Sequence, residues 1–170
     1  MFTQTQLRLA SDVLETARDQ DAMIATAESC TGGLIAALLT DVAGSSAVMD
    51  RGFVTYSNGA KRDMLEVRAE TLDKYGAVSE EVAHQMARGA LAKSGALYSV
   101  AVTGIAGPNS DDTKKPVGLV HIAVGASIGI FPKTAAHERC EFGDIGRSQV
   151  RAATVEKALN MLLNAMRAAV

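Results

Sequence analysis

Three short polar segments of this sequence carry side chains that could perform nucleophilic chemistry. The first contains Ser29, followed by Thr31, Gly32 and Gly33, at the point where an apolar run passes into a helix-like segment. A helix N-terminus presents unpaired N–H groups that can hold a phosphate or stabilise an oxyanion. Ser29 is therefore a candidate nucleophile. The alternative interpretation is that Ser29 or Thr31 only caps the helix.

The second segment contains Tyr56, Asn58 and Lys61. If a helix begins near Asn58, Lys61 lies about one turn into it and can point back toward the loop that holds Tyr56. Burial disfavours a charged lysine, so a buried Lys61 could be neutral, remove a serine proton and return it to departing ammonia. Tyr56 could relay that proton or orient the lysine. The alternative is a solvated lysine on a short helix.

The third segment follows a predicted strand and begins with Thr103 and Gly104. Spaced glycines after a strand allow the backbone to approach a ligand closely. The segment is not a P-loop, because no Gly-Lys-Ser/Thr follows its glycines, and it lacks the GxGxxG spacing of a dinucleotide site. Further along, Arg147 and Arg151 lie one turn apart at the start of the last predicted helix. Arginines suit bidentate phosphate recognition, although surface pairs at this spacing are common.

Helices and strands are predicted to alternate along the chain. Apolar periodicity predicts helices over 3–19, from Thr31 onward, 58–66, 68–75, 79–93 and 148–166, and strands over 22–27, 52–56, 97–103, 117–125 and 135–142. This alternation predicts one α/β domain over 1–170, with three layers in which helices cover a central sheet. Ligands in such sheets bind at the carboxyl ends of strands, so the loops after Ala27, Thr55 and Thr103 are expected to converge.

Composition excludes several other classes of protein. The net charge is −2 and aromatic residues make up only 4%, which disfavours nucleic-acid binding. No signal peptide or membrane-length apolar run is present, so we expect a cytoplasmic protein without a membrane partner. Two distant cysteines and three scattered histidines predict no metal site. Cys30 has no adjacent histidine to act as its base and is interpreted as a packed small residue.

Four motifs together resemble the CinA C-terminal domain family. They are the segments 27–33, 56–61, 76–80 and 103–108, whose order and approximate spacing match the family over nearly the whole chain. The resemblance implies a nicotinamide-nucleotide amidase, which converts nicotinamide mononucleotide to nicotinate mononucleotide and ammonia without a cofactor. Longer relatives carry an additional N-terminal domain, for which this sequence has no room, so a stand-alone amidase is expected.

The resemblance also implies roles for individual residues. Ser29 would be the nucleophile, Lys61 its base and Tyr56 an assistant, while Ser46 is a second candidate nucleophile. Backbone amides near Thr31, Gly32 and Gly33 would be oxyanion donors. Substrate-binding positions carried over from the family are Thr31, Gly32, Gly33, Ser46, Asn58, Thr103, Gly104 and Arg147. The segment 143–147 is longer than the compact Gly-Asp-Arg of the family, which weakens the assignment of Arg147 as a phosphate ligand.

Several alternatives stay open at the level of sequence. Water could attack the amide directly, with the serine only binding the substrate. The chain could also be a non-catalytic nucleotide-binding regulatory module, because glycine-rich loops bind as readily as they catalyse. The expected partner is a small-molecule nucleotide. The apolar face of the last helix could be core or subunit contact, and we expect a homo-oligomer.

Overall fold

A mixed five-stranded sheet forms the middle layer of the protein. The computed structural model describes residues 2–110, 114–127 and 133–169. Its strands are β1 (Ile24–Glu28), β2 (Met49–Val54), β3 (Tyr98–Gly104), β4 (Leu119–Ala126) and β5 (Lys133–Glu141). They lie in the order β2-β1-β3-β4-β5. The first three are parallel, whereas β4 runs antiparallel to both β3 and β5.

Helices cover both faces of this sheet. They are α1 (Gln4–Asp19), α2 (Leu34–Thr40), α3 (Asn58–Leu65), α4 (Ala69–Tyr75), α5 (Glu80–Ala92) and α6 (Arg147–Arg167). Apolar side chains of α1, α2 and α6 pack on one face, against β-strand residues such as Ile24 and Val100. The other face, including Ala25 and Ala101, packs against α3, α4 and α5. The predicted three-layer α/β architecture is confirmed.

The largest departure from the predicted elements lies just after β1. A helix was predicted to open at about Thr31, but α2 begins at Leu34. Gly32 and Gly33 adopt φ angles of +61° and +99°, in the left-handed region, so the chain makes a tight turn before the helix starts. A short 3₁₀ helix at Ser45–Ala47 was not predicted. The middle of the loop between β3 and β4, 111–113, lies outside the described residues.

The parallel strands bring the predicted loops together at the carboxyl ends of β1, β2 and β3. Glu28 pairs with Val54 of β2 and Val102 of β3, so the carboxyl ends of these three strands are level. The segments that follow are held together by backbone hydrogen bonds from Ser29 N to Val102 O (3.1 Å) and from Thr55 N to Glu28 O (2.8 Å). The predicted convergence of the three loops is confirmed by this pairing.

A close contact between two helices fixes the position of α3. Gly89 of α5 lies under the end of α3, where a Cβ at position 89 would be 2.1 Å from the backbone oxygen of Leu65. We expect Gly89→Ala to lower the free energy of unfolding by about 1–3 kcal/mol, because overpacking outweighs the helix propensity of alanine. Chemical denaturation measures the change.

Gly59 provides the matched control for that substitution. It also lies in a helix, but a Cβ there would meet only Ser57 Oγ, at an ordinary 3.7 Å. Gly59→Ala is therefore expected to leave stability unchanged or to raise it by up to about 1 kcal/mol. Equal effects of the two substitutions would contradict a steric role for Gly89.

Candidate active site

The centre of the site is a direct contact between a serine and a lysine. Lys61 Nζ lies 2.9 Å from Ser29 Oγ, although the two residues are 32 positions apart in sequence. Ser29 directly follows β1, and Lys61 lies one turn into α3, whose N-terminus is capped by the Ser57 side chain. The lysine is 1% exposed and the serine 8%. The prediction that Lys61 points back toward the loops is confirmed, and its solvated alternative is excluded.

The surroundings of Lys61 prepare its amine to act as a base. Burial lowers the pKa of Lys61 from 10.5 to about 8. Nζ is also 2.8 Å from the backbone oxygen of Thr55 and 3.5 Å from that of Tyr56. A neutral amine has two N–H donors and one lone pair. When the two carbonyl oxygens take both donors, the lone pair faces the hydroxyl of Ser29.

A pocket of about 400 Å³ opens above this pair. Its wall includes Thr103 and Gly104, two of the expected substrate-binding residues, together with two polar residues that the sequence did not single out, Asn109 and Ser110. The Thr103 hydroxyl donates to the backbone oxygen of Ala77 (2.8 Å), so it holds the segment before α5 against the end of β3. Apolar side chains, including Val78 and Ile105, complete the lining.

Arg147 lies at the rim of the pocket, at the first position of α6. Its guanidinium donates to the backbone oxygen of Gly107 (2.7 Å) and to the hydroxyl of Tyr56 (3.1 Å). The Tyr56 side chain therefore contacts Arg147, whereas Tyr56 reaches Lys61 through its backbone oxygen. Despite the longer segment before α6, Arg147 is placed where it can meet an anionic part of a ligand. Arg151, one turn later, instead donates to the backbone oxygen of Thr31 (2.9 Å).

The N-terminus of α2 is occupied by a side chain of the protein itself. The buried carboxylate of Glu28 accepts hydrogen bonds from the N–H groups of Gly33, Ile35 and Ala36 at 2.9–3.1 Å. It also accepts from the hydroxyl of Thr31 (2.6 Å), while Gly32 N–H donates to Ser29 O (3.1 Å). The expected oxyanion role of the Gly32 and Gly33 amides is therefore corrected, because both are used internally. Neither glycine nor Thr31 lines the pocket.

Glu28 is thus a positioning residue that sequence reasoning missed. We expect Glu28→Gln to lower the free energy of unfolding by about 3 kcal/mol, because an amide cannot accept from so many buried donors at once. The measurement is chemical denaturation. Glu66→Gln is the matched control, since the side chain of Glu66 is exposed and forms an ion pair with Lys93 at the surface, whose loss should cost under about 1 kcal/mol. An unchanged midpoint for Glu28→Gln would contradict this role.

Two further predicted site residues, besides Thr31, Gly32 and Gly33, lie away from the pocket. Ser46 belongs to the exposed 3₁₀ helix that precedes β2. It therefore lies near the amino ends of the parallel strands, whereas Ser29 lies at their carboxyl ends. The structure therefore does not bring this second candidate nucleophile to Lys61. Asn58 is exposed at the first turn of α3 and does not line the pocket. Cys30 lines the pocket, but burial raises the pKa of its thiol to about 12, so the thiol stays protonated.

The three histidines are not scattered in space. His84 of α5, His121 of β4 and His137 of β5 come together beside Glu80 on the face of the sheet covered by α5. Burial lowers the pKa of His121 to about 4, so its ring is neutral at pH 7. These three histidines and Glu80 therefore lie together in the fold, although the wide separation of the histidines in sequence gave no sign of it.

An α/β sheet with a buried Ser–Lys pair at the carboxyl ends of its strands has the arrangement of groups that nucleophilic attack on a carbonyl carbon requires. Comparison with known proteins identifies the family of this chain. The sequence profile described as the CinA C-terminal domain matches residues 6–166. The chain therefore belongs to the CinA C-terminal domain family. Among the described residues, no helix has both the length and the apolar character needed to cross a membrane.

Relatives support both the fold and the class of enzyme. The chain is 45% identical over 156 residues to the nicotinamide-nucleotide amidohydrolase PncC of Escherichia coli K12, covering 92% of each protein. It is 49% identical to a CinA-like protein of Anaeromyxobacter dehalogenans, covering 85% of this chain and 34% of that one. A crystal structure of the competence/damage inducible protein CihA from Agrobacterium tumefaciens is 53% identical, with a TM-score of 0.91 over 97% of this chain and 98% of that one. The prediction of an amide hydrolase is confirmed.

Proposed function

We propose that this enzyme hydrolyses the carboxamide of nicotinamide mononucleotide, with Ser29 as nucleophile and Lys61 as its base. The observation that carries the proposal is the 2.9 Å contact between Ser29 Oγ and the buried amine of Lys61 in the floor of the pocket. The name of the Escherichia coli relative supports the choice of substrate. The proposed reaction consumes one water and yields nicotinate mononucleotide and ammonia.

The first half of the proposed reaction forms an ester. Neutral Lys61 accepts the hydroxyl proton of Ser29 as Oγ attacks the carboxamide carbon. The resulting oxyanion needs N–H donors, and those of Cys30 and Thr31 follow the nucleophile directly. The amides of Gly32 and Gly33 have internal acceptors, but the N–H of Thr31 has no backbone acceptor among the described residues, whereas the N–H of Cys30 faces the thiol of its own side chain. The protonated amine of Lys61 then gives its proton to the departing nitrogen, and ammonia leaves.

The second half repeats these steps with water in place of the serine. Lys61, neutral again, removes a proton from water as the water oxygen attacks the ester carbon. The proton returns through Lys61 to Ser29 Oγ when the ester bond breaks, which restores the enzyme and releases the carboxylic acid. Direct attack of water on the amide would need no ester. Mass spectrometry of acid-quenched enzyme distinguishes the two routes, because only the first leaves an acyl group on the peptide containing Ser29.

The lining of the pocket suits the two ends of the proposed substrate. Val78, Ile105 and Ala106 offer an apolar wall for a pyridine ring near Ser29. Arg147 at the rim offers a guanidinium to the phosphate, with Asn109 and Ser110 as further polar contacts. A nucleotide bound in this direction places its carboxamide at the Ser–Lys pair and its charge toward solvent.

The direct test is turnover by the purified protein. We expect steady release of ammonia and nicotinate mononucleotide from nicotinamide mononucleotide, followed by coupled ammonia detection and chromatography. Nicotinamide riboside, which lacks the phosphate, is expected to show a higher KM because it cannot pair with Arg147. Binding without turnover would instead support the non-catalytic module considered from the sequence.

A further inference from the structure

A cluster of imidazole and carboxylate groups lies outside the proposed active site. Glu80 and His84 are four positions apart on α5 and therefore share one face of that helix. His137 of β5 approaches the same face, and the ligand atoms of all three residues lie within 4.8 Å of one another. We propose that Glu80, His84 and His137 form a binding site for a divalent transition-metal ion such as Zn²⁺.

The distances among these groups fit a metal ion after a small movement. Glu80 Oε1 is 3.7 Å from His84 Nε2 and 3.7 Å from His137 Nδ1. Tetrahedral zinc with ligands at about 2.0–2.1 Å requires about 3.4 Å between ligand atoms. Rotation of the Glu80 side chain, which is 56% exposed, can supply the adjustment of the two Glu–His distances. The nitrogens of His84 and His137, which lie within 4.8 Å of each other, approach further by a small rotation of the imidazole rings. Two imidazoles and one carboxylate leave a fourth position for water.

A buried ring nitrogen without a hydrogen-bond partner independently supports cation binding at this position. His84 Nε2 is buried and has no hydrogen-bond partner among the residues that the structure describes. Buried polar nitrogens are normally paired, and each exception needs an explanation. Coordination of a cation by this nitrogen would satisfy it.

His121 holds His137 in the orientation that a metal ligand needs. His137 Nε2 lies 3.1 Å from His121 Nδ1, while its other nitrogen, Nδ1, faces Glu80. If Nε2 carries the proton and donates it to His121, the lone pair of Nδ1 is directed toward the site. Metal-bound histidines are usually oriented in this way by a hydrogen bond from the second ring nitrogen.

A bound ion would link two elements that are far apart in the chain. It would tie the first turns of α5 to β5, the strand at one edge of the sheet. We therefore expect saturating Zn²⁺ to raise the Tm of the metal-free protein by about 5 °C. We also expect calorimetry to show one equivalent bound, and Co²⁺ to give d–d absorption bands without a thiolate charge-transfer band.

Substitutions at single positions test whether these residues form the site. Glu80→Gln, His84→Gln and His137→Gln are each expected to weaken Zn²⁺ binding at least 100-fold, and His121→Gln about 10–100-fold. The matched control is Glu81→Gln, the neighbouring carboxylate on the same helix, which should bind Zn²⁺ like the parent. Because the Glu80 side chain is largely exposed, that variant separates loss of a ligand from loss of the fold, as its metal-free Tm verifies.

Three results would overturn the proposal. The first is no binding of Zn²⁺ at micromolar concentration, and the second is binding that survives both histidine substitutions. The third is a Co²⁺–thiolate band, which would assign the metal to Cys30 or Cys140. All of these readouts are independent of amide hydrolysis, so the metal site and the proposed function succeed or fail separately.

Discussion

Replacing Ser29 by alanine is expected to lower kcat for hydrolysis of nicotinamide mononucleotide by about 10³-fold or more, with little change in KM. The substitution removes the attacking oxygen, whereas the pocket walls and Arg147 stay in place. Loss of a catalytic nucleophile costs about 10³–10⁶ in kcat when the rest of a site is intact. Initial rates of ammonia release over a range of substrate concentrations separate kcat from KM.

Ser46→Ala is the matched control for that experiment. Ser46 is the second candidate nucleophile from the sequence, but it is exposed and lies near the amino ends of the parallel strands, away from Ser29. The variant should turn over at the parental rate. A second variant, Cys30→Ala, tests the neighbouring thiol, which stays protonated and should contribute little to kcat. If Ser29→Ala retained more than a tenth of the parental kcat, or if Ser46→Ala lost it, the assignment of Ser29 would fail.

The contact between Ser29 and Lys61 could be anticipated because strand direction constrains where loops meet. Parallel strands with their carboxyl ends level place the segments after β1 and β2 side by side. Because α3 starts directly after the segment that follows β2, Lys61 in its first turn points toward the segment that follows β1, where Ser29 lies. Local spacing and elementary topology predicted that the two segments lie side by side, but not that the lysine is buried. The prediction of a buried lysine also depended on the resemblance to a family, because spacing alone favoured a solvated one.

The role of Glu28 could not be deduced from pattern. All five residues of β1 are buried, so the strand shows no alternation that would tell which side chain faces which layer. The turn at Gly32 and Gly33 determines the role of Glu28, because it directs the first N–H groups of α2 toward the carboxylate. A carboxylate near a helix N-terminus is favourable in general, but five residues separate Glu28 from α2, and their sequence does not tell that the chain turns back far enough for Glu28 to reach the helix.

The histidine cluster shows a different limit. His121 pairs with Arg139 and His137 with Ala123, so the two histidines are diagonal neighbours on one face of the sheet. That proximity depends on the register between β4 and β5, and a shift of one residue would move His137 to the other face. The packing of α5 across these strands then adds His84. Neither the register between β4 and β5 nor the packing of α5 on these strands can be deduced from the local spacing of residues.

Replacing Lys61 by methionine is expected to abolish turnover and to change how stability depends on pH. General base catalysis contributes about 10²–10⁴-fold to rate, so kcat should fall by at least that factor. Methionine is of similar length and apolar, which suits a side chain that is 1% exposed. The rate of the parent enzyme should rise with pH and level off above about 8, because only the neutral amine can accept the serine proton.

The stability of the parent protein reports the same pKa by an independent route. The pKa of Lys61 is about 8 in the folded protein, and it is 10.5 when the side chain is not buried, as in the unfolded chain. Between these two pH values, the unfolded chain therefore holds one more proton than the folded protein. The free energy of unfolding therefore rises with pH in this interval, by about 3 kcal/mol in total, and the cost of burying the lysine is fully present below pH 8.

Comparison with the methionine variant isolates this contribution. The variant lacks the titrating group. From pH 8 to 10.5, the unfolding free energy of the parent should therefore rise by about 3 kcal/mol relative to that of the variant. Unpaired carbonyl oxygens at Thr55 and Tyr56 add a cost to the variant, but one that does not vary with pH. A difference that stays constant across this range, measured by denaturant titration, would show that the pKa of Lys61 is not lowered in the folded protein, and the assignment of Lys61 as the base would fail.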